Sequence, residues 1–367
     1  MRVLAVSEDT YNICGLYLGF VNLVRELSYR THLTLLIMEG ASAKTIDDLC
    51  RVERLRLDYG SIRQLGLTKT FVKYLKICQA IIRQMRKSGM PDVILVNYDT
   101  SAIVSLIISR FFGIQIVVLI WEVNKSNDAV RITRNRENLK LRLIRFFDAV
   151  IVPNNTVKRA VSEYVDHNRI TPIGAVVPVM PRIMNRDRHK IVSIGVLEPK
   201  KHVEELLAAI QVLRSETQED FQVYWIGDGS LLNHLRTVYS NLPWFHFMGQ
   251  VIEDEKWNML SSSFVYCCCS ESEGFNIPFV ESMACGTPIV TYGLEIYNEM
   301  WGDSIIQVDW GDRVSFARAI EKIHYHEDAW NEASLRVRSS YEKYSSHMVA
   351  ETAIDLLEDL VSERDEN

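Results

Sequence analysis

SESEGFNIPFVESMACGTP, from Ser270 to Pro288, carries a strand-to-helix turn and both ends of a short helix. The apolar run Phe264 to Cys269 precedes it, Gly274 to Asn276 supply turn residues, and Pro278 suits the opening turn of a helix. Gly286, Thr287 and Pro288 then end the helix and lead into a second apolar run, Ile289 to Tyr292. The pattern is strand, loop, helix, strand, and it places the loop at the carboxyl end of a parallel strand, where open α/β sheets take their ligands.

Glu273 and Glu281 flank the turn with seven residues between them. A helix start leaves backbone N–H groups outside the helix ladder and carries partial positive charge, so the loop at Phe275 to Pro278, of which Pro278 itself gives no N–H, offers a seat for a phosphate or another oxygen-rich group. Two carboxylates beside such a seat accept hydrogen bonds from sugar and ribose hydroxyls. The plainer alternative is that Glu281 complements the helix dipole and Glu273 is solvated.

EGFNIPFVESMACGTPIV, followed by Glu299 and Gly302-Asp303-Ser304, resembles the nucleotide-sugar signature of the retaining GT-B glycosyltransferases of family four, usually written EGFGLPxxEAMACGTPVI with E-x-x-G-D-A after it. The resemblance implies an α/β fold of the GT-B type: two Rossmann-like domains facing across a cleft, with a C-terminal helix that crosses back to the first. It also implies transfer of a sugar from a nucleotide-diphosphate sugar with retention of configuration and without a metal or other cofactor. In that family Glu281 would hold the ribose, while Glu273 and the backbone of Gly274, Phe275, Asn276 and Ile277 would position the transferred sugar.

Length and composition agree with two domains. The chain has 367 residues, 47% apolar and 24% charged. Charge is split unevenly: residues 1–190 carry a net +12 and residues 191–367 a net −18. A basic amino-terminal half implies an anionic partner such as a lipid phosphate or an acidic membrane surface; nothing resembling a nucleic-acid motif accompanies it. Seven cysteines without CxxC spacing, three of them consecutive at Cys267 to Cys269, read as small apolar residues of a buried strand in a reducing compartment. The chain opens on the strand MRVLAVS without a basic-then-apolar leader, and Arg110 interrupts its most apolar stretch, Thr100 to Trp121. A cytoplasmic protein is expected, with peripheral attachment at the inner face of the membrane left open.

In the amino-terminal half, Arg2 to Ser7, His32 to Met38, Asp92 to Val96, Ile114 to Ile120 and Ala149 to Pro153 read as buried strands, and Leu16 to Leu27 as a helix. Phe71 to Met85 is an amphipathic helix whose polar face carries Lys73, Lys76 and Arg83, with Arg86 and Lys87 following. Arg131 to Arg145 is a second basic helical stretch, and the pair suits an anionic bilayer or a phosphorylated acceptor. Gly15 matches the family's glycine-containing loop that faces the donor. After Ile120 many relatives carry His then Asp; here Trp121 and Glu122 stand there, and with Asn124 and Lys125 they are the candidate acceptor loop. Glu122 reads either as an acceptor-side base or as a strand-end carboxylate paired with an arginine.

Prolines 172, 178 and 181 mark the hinge, giving domains over 1–185 and 186–345 and a returning helix over 346–367. The second domain opens with IVSIGVLEPKKHVEELL, in which Gly195 ends a strand and a helix starts near His202. The family's form is GRLxxxKG, whose Arg and Lys neutralise the donor diphosphate. Lys201 matches the Lys, whereas Val196 stands at the Arg position and His202 at the closing Gly. Losing one such donor costs roughly 3 to 4 kcal/mol of barrier, with Lys200 or an arginine of the basic domain the candidates to replace it. Gly227 and Gly229, in GDGS, resemble the turn beside the nucleotide, and Ser230 is expected to cap the helix Leu231 to Tyr239.

Glu273, Lys201 and Glu122 are therefore the catalytic candidates, and the acceptor is expected to be a glycan, a lipid phosphate or a small molecule. Two other readings remain: an inert sugar-nucleotide-binding partner of another transferase, motivated by Val196 and Trp121, and a GT-B sugar-nucleotide epimerase.

Overall fold

The structure is a computed structural model that describes residues 1–8, 15–39, 52–56, 69–121, 141–177 and 184–366. The chain divides into two compact units, Met1–Val176 with Ser346–Asn367, and Val177–Ser345. The division falls earlier than the expected residue 186. Val177 already bridges to Ser345, and the first strand of the second unit begins at Asp187 rather than at Ile191.

The first unit holds strands β1 (Arg2–Glu8), β2 (His32–Glu39), β3 (Val52–Arg56), β4 (Val93–Asn97), β5 (Gln115–Leu119), β6 (Ala149–Val152) and β7 (Ile170–Pro172). Its helices are α1 (Gly15–Ser28), α2 (Lys69–Ser88), α3 (Thr100–Phe112) and α4 (Asn155–Val161). All seven strands run parallel in the order β3-β2-β1-β4-β5-β6-β7. The direction of winding reverses between β1 and β4, where Ser7 Oγ donates to Asp99 Oδ2 at 3.2 Å. The basic helix α2 forms as its periodicity predicts, because Ile77, Ile81 and Met85 lie on one stripe and are buried in the core under the sheet.

Helix α3 is absent from the sequence reading. Ala102, Val104, Leu106 and Ile108 are all buried, so its apolar residues show no amphipathic period. Its boundaries are nonetheless local: Asp99 caps its start by accepting from the Ser101 amide at 2.7 Å, and Gly113 closes it with φ 65°. Most of the second basic stretch lies outside the described residues. At its end Ile144–Phe146 form a 3-10 turn. Among the described residues no helix is long and apolar enough to cross a membrane.

The second unit holds β8 (Asp187–Ile194), β9 (Gln222–Ile226), β10 (Phe245–Gly249), β11 (Ser263–Cys268), β12 (Ile289–Tyr292) and β13 (Ile306–Val308). Its helices are α5 (Val203–Thr217), α6 (Leu232–Val238), α7 (Glu253–Ser262), α8 (Ile277–Cys285), α9 (Glu295–Met300), α10 (Arg313–Tyr325) and α11 (Glu327–Tyr341). The six strands are parallel in the order β10-β9-β8-β11-β12-β13, so the reversal falls between β8 and β11. Cys267, Cys268 and Cys269 are buried at the sheet centre, as expected of apolar strand residues.

The last helix, α12 (Ser346–Glu366), belongs to the first unit and packs on α1. It buries Val349, Ala350, Ala353 and Leu357, and Glu351 lies 3.5 Å from Arg30. The chain thus returns to the unit in which it began.

Candidate donor site at the reversal point of the second sheet

A parallel strand leaves its carboxyl-end loop unpaired, and where neighbouring connections run in opposite directions two such loops part to leave a crevice. In the second unit those loops follow β8 and β11. Three contacts join them: the Glu271 amide donates to the Lys200 carbonyl at 3.0 Å, His202 Nε2 lies 2.8 Å from Glu271 Oε2, and Lys201 Nζ donates to Glu273 Oε1. Lys201 and Glu273 keep only 16% and 10% of their side chains exposed, which makes this the more shielded of the two ion pairs. The Lys201 side chain runs across Gly195, where a Cβ would sit 3.5 Å from its Cε.

The turn after Glu273 is built around Asn276, whose φ of 67° and ψ of 72° lie in the left-handed region. Asparagine tolerates that region better than most side chains, and its amide is tied down as well, with Nδ2 donating to Tyr297 Oη at 3.0 Å and reaching Cys268 Sγ at 3.6 Å. Asn276 therefore stands where the resembled motif has glycine because both satisfy the backbone, and its side chain serves the turn. Phe275 points away from the sheet edge into Trp301 and Tyr344, at ring separations of 6.1 and 5.9 Å. What this turn offers a ligand is main chain and the start of α8, with Pro278 in its first turn.

Glu281 lies in the second turn of α8 and is buried. Its Oε1 accepts from Lys256 Nζ at 2.6 Å, and Lys256 also lies 2.8 Å from Glu253. Burial pushes the Glu281 carboxyl up, with Lys256 pulling the other way. Burial opposes the charge of Lys256, but the two carboxylates outweigh it and hold the ammonium above its ordinary value. Sequence reasoning missed Lys256; its one signal is that it is the sole cation in α7, EDEKWNMLSS.

Gly227 and Gly229 are explained by close packing. A Cβ on Gly227 would lie 2.1 Å from the Gly195 carbonyl oxygen, and one on Gly229 would lie 2.5 Å from that of Leu197. Only glycine lets the β9 loop pass so close to the β8 loop, and the Leu197 amide donates to Asp228 across that contact at 2.9 Å. Ser230 does not cap the next helix: α6 starts at Leu232 with Leu231 before it and no side-chain cap. Val196 is 37% exposed at the position where the resembled motif has arginine.

In the first unit Gly15 opens α1. Trp121 follows β5 and is 6% exposed, its indole lying where a Cβ on Gly19 would approach to 2.8 Å. Glu122, Asn124 and Lys125 lie outside the described residues.

Residues 182–339 match the family described as glycosyl transferases group 1. An O-antigen chain mannosyltransferase B of Escherichia coli is 27% identical over 143 residues, which are 38% of this chain and 37% of that protein. A phosphatidyl-myo-inositol mannosyltransferase of Mycolicibacterium smegmatis is 28% identical over 170 residues, 40% of this chain and 43% of that protein. The alignments thus span less than half of these curated relatives. Similarity of fold extends over the whole chain. Anabaena HepE, solved in complex with UDP, superposes with a TM-score of 0.76 at 15% identity, covering 98% of this chain and all of that one. Sucrose-phosphate synthase from Thermosynechococcus elongatus gives 0.79 at 16% identity, covering 98% and 99%. With two wound parallel sheets, a returning terminal helix and a family match over residues 182–339 that takes in the Glu273 to Glu281 turn, the fold is GT-B and the second unit is similar to the glycosyl transferases group 1 family.

Proposed function

We propose that the chain is a retaining, metal-independent glycosyltransferase that takes a nucleotide-diphosphate sugar at the β8–β11 reversal of its second unit. The observation that carries this reading is that two shielded ammonium–carboxylate pairs, Lys201–Glu273 and Lys256–Glu281, flank the turn that opens α8. In this reading Lys201 neutralises charge on the departing diphosphate, and the α8 start adds its N–H dipoles. Glu281 accepts from the ribose hydroxyls through Oε2, Oε1 being held by Lys256. Glu273 and the main chain of Gly274 to Ile277 orient the transferred sugar. Glu273 also fixes the Lys201 ammonium before the donor arrives, which limits the reorganisation needed when the glycosidic bond breaks.

The leaving phosphate itself takes the proton of the incoming hydroxyl on the same face of the sugar, so configuration is kept. The first unit supplies the acceptor site, with Trp121, Glu122, Asn124 and Lys125 as its candidates. The basic amino-terminal residues 1–190, with a net +12, suit a glycan carrying phosphate, a lipid phosphate or an anionic membrane surface. UDP in the HepE complex and the mannosyl donors implied by the curated relatives' names define the first donors to try.

Incubation with labelled UDP- and GDP-sugars and with glycan or lipid-phosphate acceptors tests the proposal. Transfer to an acceptor with retained anomeric configuration is the expected result. Binding without turnover would favour the inert partner that the exposed Val196 suggests, and a rearranged free donor would favour an epimerase.

A further inference from the structure

His189, Glu219 and His324 come from three separate elements of the second unit: the start of β8, the turn between α5 and β9, and the last turn of α10. Each offers a ligand atom within 4.8 Å of the other two. His189 Nε2 lies 3.0 Å from Glu219 Oε2, and the two imidazole rings are 5.2 Å apart. Two donor atoms on one tetrahedral zinc stand about 3.3 Å apart, as follows from bonds of about 2 Å. One edge of such a polyhedron is already set, and a small side-chain rotation closes the others.

A second observation points the same way. His324 is 6% exposed, and its Nδ1 is buried with no hydrogen-bond partner among the described residues. A buried polar atom without a partner is costly, and such atoms are rare in folded proteins. The ring is walled by Phe221 and Phe264, at 4.9 and 5.6 Å, so its surroundings on those sides are apolar. The neighbouring groups are arranged as support: Asp187 Oδ1 lies 4.0 Å from His189 Nδ1, the nitrogen turned away from Glu219, and Tyr325 Oη lies 3.5 Å from the other Glu219 oxygen. That Asp187 oxygen accepts from the His189 backbone amide at 2.9 Å, so it anchors the start of β8 and leaves a negative charge beside the ring. Arg188 lies close by and is engaged with the His324 carbonyl.

We infer that His189, Glu219 and His324 form a site for a borderline divalent transition metal, with zinc the best match to two imidazoles and one carboxylate. The site lies at the amino-terminal edge of the sheet. His189 and Ile194, which ends β8 beside the donor loops, are separated by roughly 17 Å at the rise of a strand. The metal therefore takes no part in sugar transfer. It ties β8, α10 and the turn before β9 into one unit, and the inference stands independently of the proposed activity.

The full chain, freed of metal by chelator and dialysis, is titrated with zinc by calorimetry, with melting followed in parallel. One equivalent is expected, with Tm raised by about 5 °C or more when zinc exceeds Kd a hundredfold. His189→Ala and Glu219→Gln change exposed or half-exposed side chains, so both are expected to fold. Each should weaken zinc at least tenfold. Cobalt in place of zinc should give a d–d spectrum without a thiolate charge-transfer band. The inference is overturned if the wild type binds no stoichiometric zinc, if both variants bind as tightly as the wild type, or if a thiolate band assigns the metal to cysteine.

Discussion

Lys201 and Glu273, 72 residues apart in sequence, form a shielded ion pair where the loops after β8 and β11 meet. Neither loop alone explains the other's conformation. The pair shows why a lysine four residues beyond Leu197 and past a proline matters to the turn that follows β11, the fourth strand of the sheet.

If Lys201 neutralises charge that grows on the leaving diphosphate, its loss acts on the transition state more than on donor binding. Lys201→Met is expected to lower kcat by about 10²- to 10³-fold, with KM for the donor changed only a few-fold. Steady-state kinetics with a labelled nucleotide sugar checks this. Equal losses in kcat and donor affinity would assign Lys201 to plain binding.

Lys256 and Glu281 make a second test, on stability. Removing one member of a buried pair leaves an uncompensated charge, so Lys256→Met should cost about 3 to 5 kcal/mol in urea denaturation. Glu281→Gln added to Lys256→Met should restore a large part of that loss. A double variant as unstable as the single one would mean that Lys256 matters chiefly through Glu253.

Asn276 separates backbone from side chain. Asn276→Gly keeps the left-handed backbone and loses the bond to Tyr297, whereas Asn276→Ala loses both. The alanine variant is expected to be the less stable of the two, by about 1 kcal/mol or more. Thermal melts of the pair check the order.

The sequence shows those parts of the molecule whose causes are local. The β11 to β12 segment was legible because Gly274, Pro278 and Gly286 each act within a turn of where they stand. The amphipathic α2 was legible for its periodic stripe, Ile77, Ile81 and Met85. Helix α3 was not, being buried on several faces, and the strand β3, VERLR, has three charged residues among five and so neither an apolar run nor a strict alternation. Ser230 looked like a helix cap because the composition of GDGS fits one, but tertiary packing of Gly229 on Leu197 moves the helix start to Leu232. The partners of the two glutamates were hidden for a different reason. Lys201 and Lys256 reach them from other elements, and no local pattern encodes such a distance.

The Glu205–Arg313 pair gives a dependence on pH. Arg313 bonds the carboxylate at 2.8 and 2.6 Å and holds Glu205 below its ordinary 4.5, against a smaller opposing effect of burial. In that acid window the unfolded chain binds more protons than the folded one, so the pair's contribution is complete above 4.5 and fades as pH falls through the lowered folded value. Arg313→Ala is expected to cost less than about 1 kcal/mol at neutral pH, as surface pairs do. The difference from wild type should shrink as denaturation is repeated at falling pH. A difference that stayed constant into acid would remove the ion pair as its cause.

The central claim is that Glu273, Glu281 and the turn between them hold a nucleotide sugar. Calorimetric titration of wild type, Glu273→Gln, Glu281→Gln and the double variant with a panel of UDP- and GDP-sugars tests it most directly. The account predicts that wild type binds at least one of these donors, that each single change weakens it about tenfold or more, and that the double change abolishes measurable binding while the protein stays folded. Unchanged donor affinity in the folded double variant would contradict it.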